Sequence, residues 1–282
     1  MKDKGQLFSA HHYTGLRSVW AAITIAMLLV LSLPARAQPI EVDLELVLLA
    51  DVSRSMTERE LEIQRRGYAE ALRDDAVFAA IQTGLLQRIA LTYIEWAGAQ
   101  EVIVDWQVIE SQEDLNAFAD ALTVLFDPSL RRTSISEALI FGVERLTTND
   151  IAGLRQVIDI SGDGPNNQGR GVVFGRDTAL TQGITINGLP LMTREGLGQH
   201  WHLERLDIYY QTCVIGGPGA FVIPVLEWED FADAVRRKLI LEIAGLTPSP
   251  RAVPAQAFER DPTDCRIGEK IWENRSRSWG LP

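Results

Sequence analysis

The sequence predicts an α/β protein: a three-layer, doubly wound and mostly parallel sheet with helices on both faces and one antiparallel edge strand. Two observations support this class. Across residues 41–246, short apolar runs alternate with amphipathic segments, which is the pattern of strand–helix–strand units. The first run, at residues 44–50, is almost continuously apolar, as expected of a strand that is covered on both faces.

The elements after the first strand follow in order. Residues 57–80 are predicted to form a helix, because Thr57 and Glu60 have the spacing of a capping box and apolar residues recur on one side. Residues 88–96 and 101–109 are predicted strands joined by a short turn that contains glycine. These two strands are expected to pair as a hairpin or an edge pair, which supplies the antiparallel edge.

The remaining elements continue the alternation. Helices are predicted at residues 111–125, 134–146, about 177–182 and 228–244, and strands at residues 156–160, 184–189 and 221–225. Ser134 and Glu137 have the spacing of a second capping box. The last helix has an apolar face formed by Trp228, Phe231, Val235, Leu239 and Ile243.

Three segments are expected along the chain: a signal peptide at 1–37, one domain at 38–248 and a C-terminal extension at 249–282. A basic start and an uncharged apolar stretch precede a small-x-small pattern that ends at Ala37. The apolar stretch is shorter than the ~20 residues that a spanning helix needs. A cleaved signal is therefore favoured over an uncleaved anchor, and the mature protein is expected to be periplasmic or secreted, without a membrane span.

The charge balance excludes one class of partner. Removing residues 1–37 takes away four of the 27 Lys and Arg residues and one of the 38 acids, which leaves a formal net charge of −14. Such a chain lacks the basic surface that the phosphates of nucleic acid require. The balance suits a soluble protein that attracts cations.

The two cysteines, Cys213 and Cys265, are expected to form one disulfide in an exported protein. This bond would tie the C-terminal extension to the domain. The extension is predicted to be an extended tail, and its two tryptophans leave open whether it packs back on the domain. A zinc site is not favoured, because His200 and His202 lie beside neither cysteine in sequence. This histidine pair is either a metal-binding pair or part of a surface or half-buried strand.

Polar residues follow the first predicted strand directly. Asp51, Ser53 and Ser55 stand at alternate positions, so their side chains point the same way in an extended turn. Carboxylates and hydroxyls are hard oxygen ligands, suited to Mg²⁺, Mn²⁺ or Ca²⁺ and poorly suited to zinc or copper. Thr133, at a helix start, and Asp163, at a strand end, can complete the set, because ligands bind at the carboxyl ends of parallel strands.

Each fragment of this motif also has an ordinary structural explanation. Ser53 and Ser55 suit a turn, and Thr57 suits a helix cap. Thr133 or Ser134 suits the cap of the third helix. The fragments occur together, in order and at strand ends, and this combination favours a metal site over separate turns and caps.

The motif resembles the metal-ion-dependent adhesion site of von Willebrand factor A (VWA) domains. D-x-S-x-S closes the first strand, a threonine follows roughly eighty residues later, and Asp-Gly follows about thirty residues after that. The order of strands and helices fits the VWA fold across roughly residues 41–246. The chain is similar to secreted bacterial VWA-like proteins without an assigned function.

The resemblance implies a role for each candidate residue. The hydroxyls of Ser53, Ser55 and Thr133 would bind the metal, and Asp51 and Asp163 would bind it directly or through water. Mg²⁺ is the expected cation, with Mn²⁺ or Ca²⁺ as alternatives. Because few negative charges would bind it directly, the cation would accept a carboxylate of a partner protein.

The sequence departs from the VWA pattern at two places. Arg131 and Arg132 precede Thr133, where the family often has glycine. These arginines either bind the incoming carboxylate or are solvated loop charges. The segment SGDG replaces the more usual Thr-Asp-Gly, although Asp163 itself is retained.

Three functions are compatible with the sequence. The leading one is an exported, metal-dependent adhesion or scaffold module, whose cation coordinates an Asp or Glu carboxylate of a protein partner. The second is a hydrolase that uses the metal or a serine. It is not favoured, because the sequence lacks a G-x-S-x-G elbow, a histidine in a motif and a phosphate loop with lysine, although Glu95 and Asp105 are a candidate acid–base pair. The third is a structural domain whose metal only fixes loops.

Overall fold

The computed structural model describes residues 38–122, 132–193, 203–248 and 263–278. The strands are β1 (Ile40–Val42), β2 (Leu44–Asp51), β3 (Ile89–Trp96), β4 (Gln100–Ile109), β5 (Ile151–Gly153), β6 (Gln156–Gly162) and β7 (Thr185–Pro190). The helices are α1 (Glu58–Leu72), α2 (Asp75–Gln82), α3 (Gln112–Ala121), α4 (Ile135–Thr147), α5 (Val172–Thr181), α6 (Leu206–Tyr209), α7 (Phe231–Ala244) and α8 (Ile267–Ser278).

The central sheet has five strands in the order β4-β3-β2-β6-β7. β2 pairs in parallel with β3 and β6, and β6 pairs in parallel with β7. β3 and β4 pair antiparallel as a hairpin, which confirms the antiparallel edge. The chain extends the sheet from β2 to one side and then returns to add β6 and β7 on the other. The switch point therefore lies between β2 and β6, at their carboxyl ends.

Two apolar layers cover the sheet and confirm the three-layer α/β prediction. One face packs against α1, α2, α3 and α7, with Tyr68 and Phe231 among the largest buried side chains. The opposite face packs against α4, α5 and α6, with Trp96 and Tyr210 buried there. All eight residues of β2 are buried because helices cover both of its faces. The five apolar residues predicted along the last helix are all buried.

The prediction of one helix at 57–80 was wrong, because two helices occupy this segment. α1 ends at Leu72, and Asp74 begins α2 by accepting a hydrogen bond from the Ala76 amide at 2.8 Å. An aspartate in this position satisfies an amide that has no partner within the helix. The capping box of Thr57 and Glu60 is confirmed.

The second predicted capping box, at the start of α4, does not form. Ser134 makes no capping hydrogen bond, and its hydroxyl donates to the Gln168 carbonyl at 2.9 Å. Glu137 pairs instead with Arg170 at 2.6 Å. The loop after β6 thus supplies both partners, so tertiary contacts replace the local cap.

The predicted strand at 221–225 was also wrong. This segment forms two isolated parallel bridges, from Val222 to Gly188 of β7 and from Val225 to Leu191 just after β7, instead of a continuous ladder. Pro224 lies between the two bridges and has no amide hydrogen to donate. The sequence pattern also missed β1 and β5, which pair in parallel with each other outside the central sheet.

The C-terminal extension was predicted to be an extended tail, but its residues Ile267–Ser278 form α8. The predicted disulfide between Cys213 and Cys265 is present, with 5.5 Å between the Cα atoms. The predicted signal peptide at 1–37, Arg131 and the histidine pair lie outside the described residues. Among the helices that the structure describes, none is long and apolar enough to span a bilayer.

One group of charges is buried between the sheet and α7. The Nζ of Lys238 lies 2.6 Å from Oδ1 of Asp159 on β6, and it also contacts Glu242 one turn further along α7. All three side chains are at most 1% exposed. Burial, followed by the charge of Asp159, raises the pKa of Glu242 to about 7. Lys238 is therefore the counter-ion of two carboxylates that are costly to bury alone.

Candidate metal centre

The centre begins at Asp51, the last residue of β2. Gln64 Nε2 of α1 donates to the Asp51 carbonyl at 2.9 Å, and Oδ1 of Asp51 accepts the Ser53 amide at 2.7 Å. These bonds fix the turn that follows the strand. The second carboxylate oxygen, Oδ2, is buried and has no hydrogen-bond partner among the described residues.

A chain of hydrogen bonds joins this turn to the end of β6. The hydroxyls of Ser53 and Ser55 lie 3.0 Å apart, and the Ser55 hydroxyl donates to Oδ1 of Asp163 at 2.8 Å. Asp163 follows β6 directly, and β6 is the parallel neighbour of β2. Four of the five candidate residues are thus brought together at the switch point of the sheet.

Thr133 lies at the same edge and is 5% exposed. Its amide donates to Asn167 Oδ1 at 3.0 Å, and the Asn167 amide donates to the Thr133 carbonyl at 2.8 Å. The next amide, that of Ser134, donates to the carbonyl of Ala97, just after β3. Thr133 is therefore held between the loops that follow β3 and β6.

The two carboxylates of the centre are difficult to ionise in the absence of a cation. Burial, followed by the charge of Asp163, raises the pKa of Asp51 well above its usual range. Burial also raises the pKa of Asp163 to about 6; the hydrogen bond from Ser55 opposes this shift and the charge of Glu60 adds to it. A cation near these oxygens would offset the cost of ionising both groups.

These residues fit a hard divalent cation. Two carboxylates and three hydroxyls are oxygen ligands of the kind that Mg²⁺, Mn²⁺ and Ca²⁺ prefer. The buried, unpaired Oδ2 of Asp51 is a ligand atom without another partner in the described structure. Within the same residues, no group of three or more His, Cys, Asp or Glu side chains is placed to hold a metal.

The sequence analysis did not identify Gly162 and Tyr210, which shape the back of the centre. A Cβ on Gly162 would lie 2.8 Å from Asp51 Oδ2 and 2.8 Å from the Tyr210 hydroxyl. Both oxygens are buried, and neither has a hydrogen-bond partner among the described residues. Glycine therefore gives the Asp51 carboxylate the space that it occupies.

Gly162→Ala is expected to lower the affinity for Mg²⁺ at least tenfold, because the new methyl group displaces the Asp51 carboxylate. Isothermal titration calorimetry measures this change. Gly164→Ala is the matched control, since a Cβ there meets nothing within 4 Å. Equal Mg²⁺ affinity in the two variants would contradict the assignment of Asp51 to the site.

The helix α8 supports the loop that carries Asp163. Asn166 is fully buried; its Nδ2 donates to Glu269 of α8 at 2.8 Å, and its Oδ1 accepts the Ser136 amide of α4 at 3.1 Å. A Cβ on Gly268 would overlap the Asn166 carbonyl oxygen, so α8 packs directly on this loop. The extension, whose packing the sequence left open, thus folds back beside the candidate metal centre.

Removing the disulfide by Cys213→Ser with Cys265→Ser is expected to release α8. A 12-residue helix is marginal on its own, and closing a loop with a sequence separation of 52 contributes about 4 kcal/mol in the chain-entropy model. Hydrogen exchange by mass spectrometry should show lost protection of Ile267–Ser278 while β2 and β6 stay protected. Unchanged protection of α8 would mean that its packing suffices without the disulfide.

The candidate acid–base pair of the hydrolase alternative is not assembled. Glu95 is buried and forms a bidentate ion pair with Arg65, at 2.5 and 2.7 Å. Asp105 pairs with Arg145 at the protein surface. Each carboxylate thus has its own arginine partner.

The central strand ends in D-x-S-x-S at a topological switch point, and this arrangement within a doubly wound sheet defines the class: the chain has a von Willebrand factor A fold. More particularly, it belongs to the family described as "Protein of unknown function (DUF1194)", which matches residues 41–247. No curated protein matches the sequence.

Solved structures agree with this fold. The chain is similar to a von Willebrand factor type A protein from Catenulispora acidiphila, with 13% identity, a TM-score of 0.51 and coverage of 72% of this chain and 43% of that one. It is also similar to the pilus adhesin SpaC from Lactobacillus rhamnosus GG, with 12% identity, a TM-score of 0.52 and coverage of 74% of this chain and 31% of that one. The third is proximal thread matrix protein 1 from the mussel byssus, with 13% identity, a TM-score of 0.50 and coverage of 74% of this chain and 49% of that one. The chain spans less than half of the length of each of these three structures.

Proposed function

We propose that this chain is an exported, metal-dependent protein-binding module of the adhesion or scaffold type. Asp51, Ser53, Ser55, Thr133 and Asp163 would hold the cation, with Mg²⁺ preferred and Mn²⁺ or Ca²⁺ as alternatives. The bound cation would accept one carboxylate oxygen from an Asp or Glu side chain of the partner.

A single observation carries this proposal: Oδ2 of Asp51 is buried, has no hydrogen-bond partner in the described part of the chain, and lies at the edge where the hydroxyls of Ser53 and Ser55 reach Asp163. An unpaired buried carboxylate oxygen is costly unless a cation or donor joins it. Hydroxyl ligands add no negative charge, so a divalent cation held here would retain affinity for an external carboxylate.

Two of the similar structures support the same proposal. One is a pilus adhesin and the other a matrix protein of the mussel byssus. Both names describe proteins that act outside the cytoplasm, in keeping with the signal peptide that the sequence predicts at 1–37. The proposal therefore includes a periplasmic or secreted location. It does not include an enzymatic activity.

The test is calorimetric titration of Mg²⁺, Mn²⁺ and Ca²⁺ into the metal-stripped protein, followed by titration of a peptide with one aspartate. Saturable cation binding, followed by peptide binding that requires the cation, is expected. Cation binding without peptide binding would favour the structural alternative, in which the metal only fixes loops. No binding at millimolar cation would overturn the metal site.

A further inference from the structure

Arg132, the residue before Thr133, has an unusual backbone conformation. Its φ is 76°, and Gln87 is the other non-glycine residue with positive φ in the described part of the chain. Residues with a Cβ rarely adopt this conformation, which is found preferentially at binding and catalytic sites. The surrounding structure must therefore hold Arg132 in place.

The guanidinium of Arg132 is held by an aromatic ring. Its Cζ lies 3.3 Å from the centroid of the Trp272 ring, at stacking distance over the ring face. Trp272 belongs to α8. The disulfide between Cys265 and Cys213 ties α8 to the domain, and the hydrogen bond from Asn166 to Glu269 holds it beside the candidate metal centre. Stacking occupies the face of the guanidinium and leaves its in-plane N–H donors for another partner.

The charge of Arg132 is not balanced within the described residues. No ion pair there includes Arg132, whereas Arg170 of the neighbouring loop is paired with Glu137. Burial lowers the pKa of Arg132, but a guanidinium stays protonated at neutral pH. An oriented arginine whose donors have no partner in the described part of the chain is suited to bidentate binding of a carboxylate.

We propose that Arg132 is a second anion-binding point beside the cation of the candidate metal centre. The partner would present two carboxylates, one for the cation and one for the Arg132 guanidinium. The inference rests on the proposed function and narrows its partner to a segment with two acidic residues close together. Trp272 is a positioning residue, because it acts through Arg132.

The test uses capped peptides with one aspartate, or with two aspartates separated by zero, one or two glycines. Each is titrated into the Mg²⁺-loaded protein at constant ionic strength, and binding is followed by NMR. At least one peptide with two aspartates is expected to bind about tenfold more tightly than the single-aspartate peptide. Arg132→Gln should remove this preference and leave the calorimetric Mg²⁺ affinity unchanged.

Three variants separate the roles of charge and position. Trp272→Ala should reduce the preference for two aspartates, and Trp272→Phe should restore it, because phenylalanine keeps a ring beneath the guanidinium. Arg237→Gln, at an exposed position of α7, removes one positive charge elsewhere on the protein. It should leave the preference for two aspartates and the Mg²⁺ affinity unchanged.

The outcomes distinguish this inference from the proposed function. Equal binding of peptides with one and two aspartates would overturn the role of Arg132 and leave the carboxylate-binding module intact. Loss of Mg²⁺ affinity in Arg132→Gln would also overturn it, because Arg132 would then support the metal loop. Mg²⁺ binding without binding of either type of peptide would refute both proposals.

Discussion

Lys238→Met is expected to lower the free energy of unfolding by about 3–5 kcal/mol at pH 7. The substitution leaves Asp159 and Glu242 buried together without their shared cation. Burial already raises the pKa of both carboxylates, and without Lys238 their folded-state pKa values should rise further. Stability contributed by groups with raised pKa is lost as pH increases, so the deficit should be larger at pH 8 than at pH 5.

Denaturation by urea, followed by circular dichroism, measures this effect. Arg237→Met is the matched control, since Arg237 is the exposed neighbour on α7 and should change stability by less than about 0.5 kcal/mol. A second variant combines Lys238→Met with Asp159→Asn and Glu242→Gln, and it should recover most of the loss. A deficit below about 1 kcal/mol in Lys238→Met would contradict the role of Lys238 as an essential counter-ion.

Asp51→Asn is expected to abolish the stabilisation of the protein by Mg²⁺. At a concentration about 100 times the dissociation constant, a cation that binds only the folded state adds about 2.7 kcal/mol to the free energy of unfolding. Thermal unfolding with and without Mg²⁺ measures this difference. Thr133→Ala should reduce it as well.

The metal-free comparison separates loss of the site from loss of the fold. Burial raises the pKa of Asp51, so an ionised carboxylate at this position opposes folding at pH 7. Metal-free Asp51→Asn should therefore be at least as stable as the metal-free wild type. Asp150→Asn, at an exposed residue before β5, is the control and should keep the full response to Mg²⁺. A full response in Asp51→Asn would exclude Asp51 as a ligand.

Most of the fold could be predicted because the central strands β2, β3 and β6 are largely apolar runs. β2 is an example: all eight of its residues are buried, which requires helices on both faces of the strand. The almost continuously apolar sequence of the strand already predicts such burial. Local signals failed where distant residues decided the structure. Ser134 has the sequence of a helix cap, yet its hydroxyl binds Gln168 from the loop after β6, and no local pattern contains that information.

Only the candidate ligands of the metal centre could be predicted from the sequence, and the residues that support them could not. The spacing of Asp51, Ser53 and Ser55 is visible in the sequence, but the supporting residues are not marked in the same way. Gln64 had a signal, since it is a polar residue on the buried face of α1. Lys238 had a signal of the same kind, because it is a charged residue on the buried face of α7.

The hydrogen bond between Ser55 and Asp163 joins residues 108 positions apart in the chain. Contacts of such long sequence separation form only after a large loop has closed, which is slow and entropically costly. A cation has no assembled site until β6 has docked beside β2, so it cannot nucleate the sheet. Its influence would fall on the lifetime of the folded state and hardly at all on the speed with which that state forms.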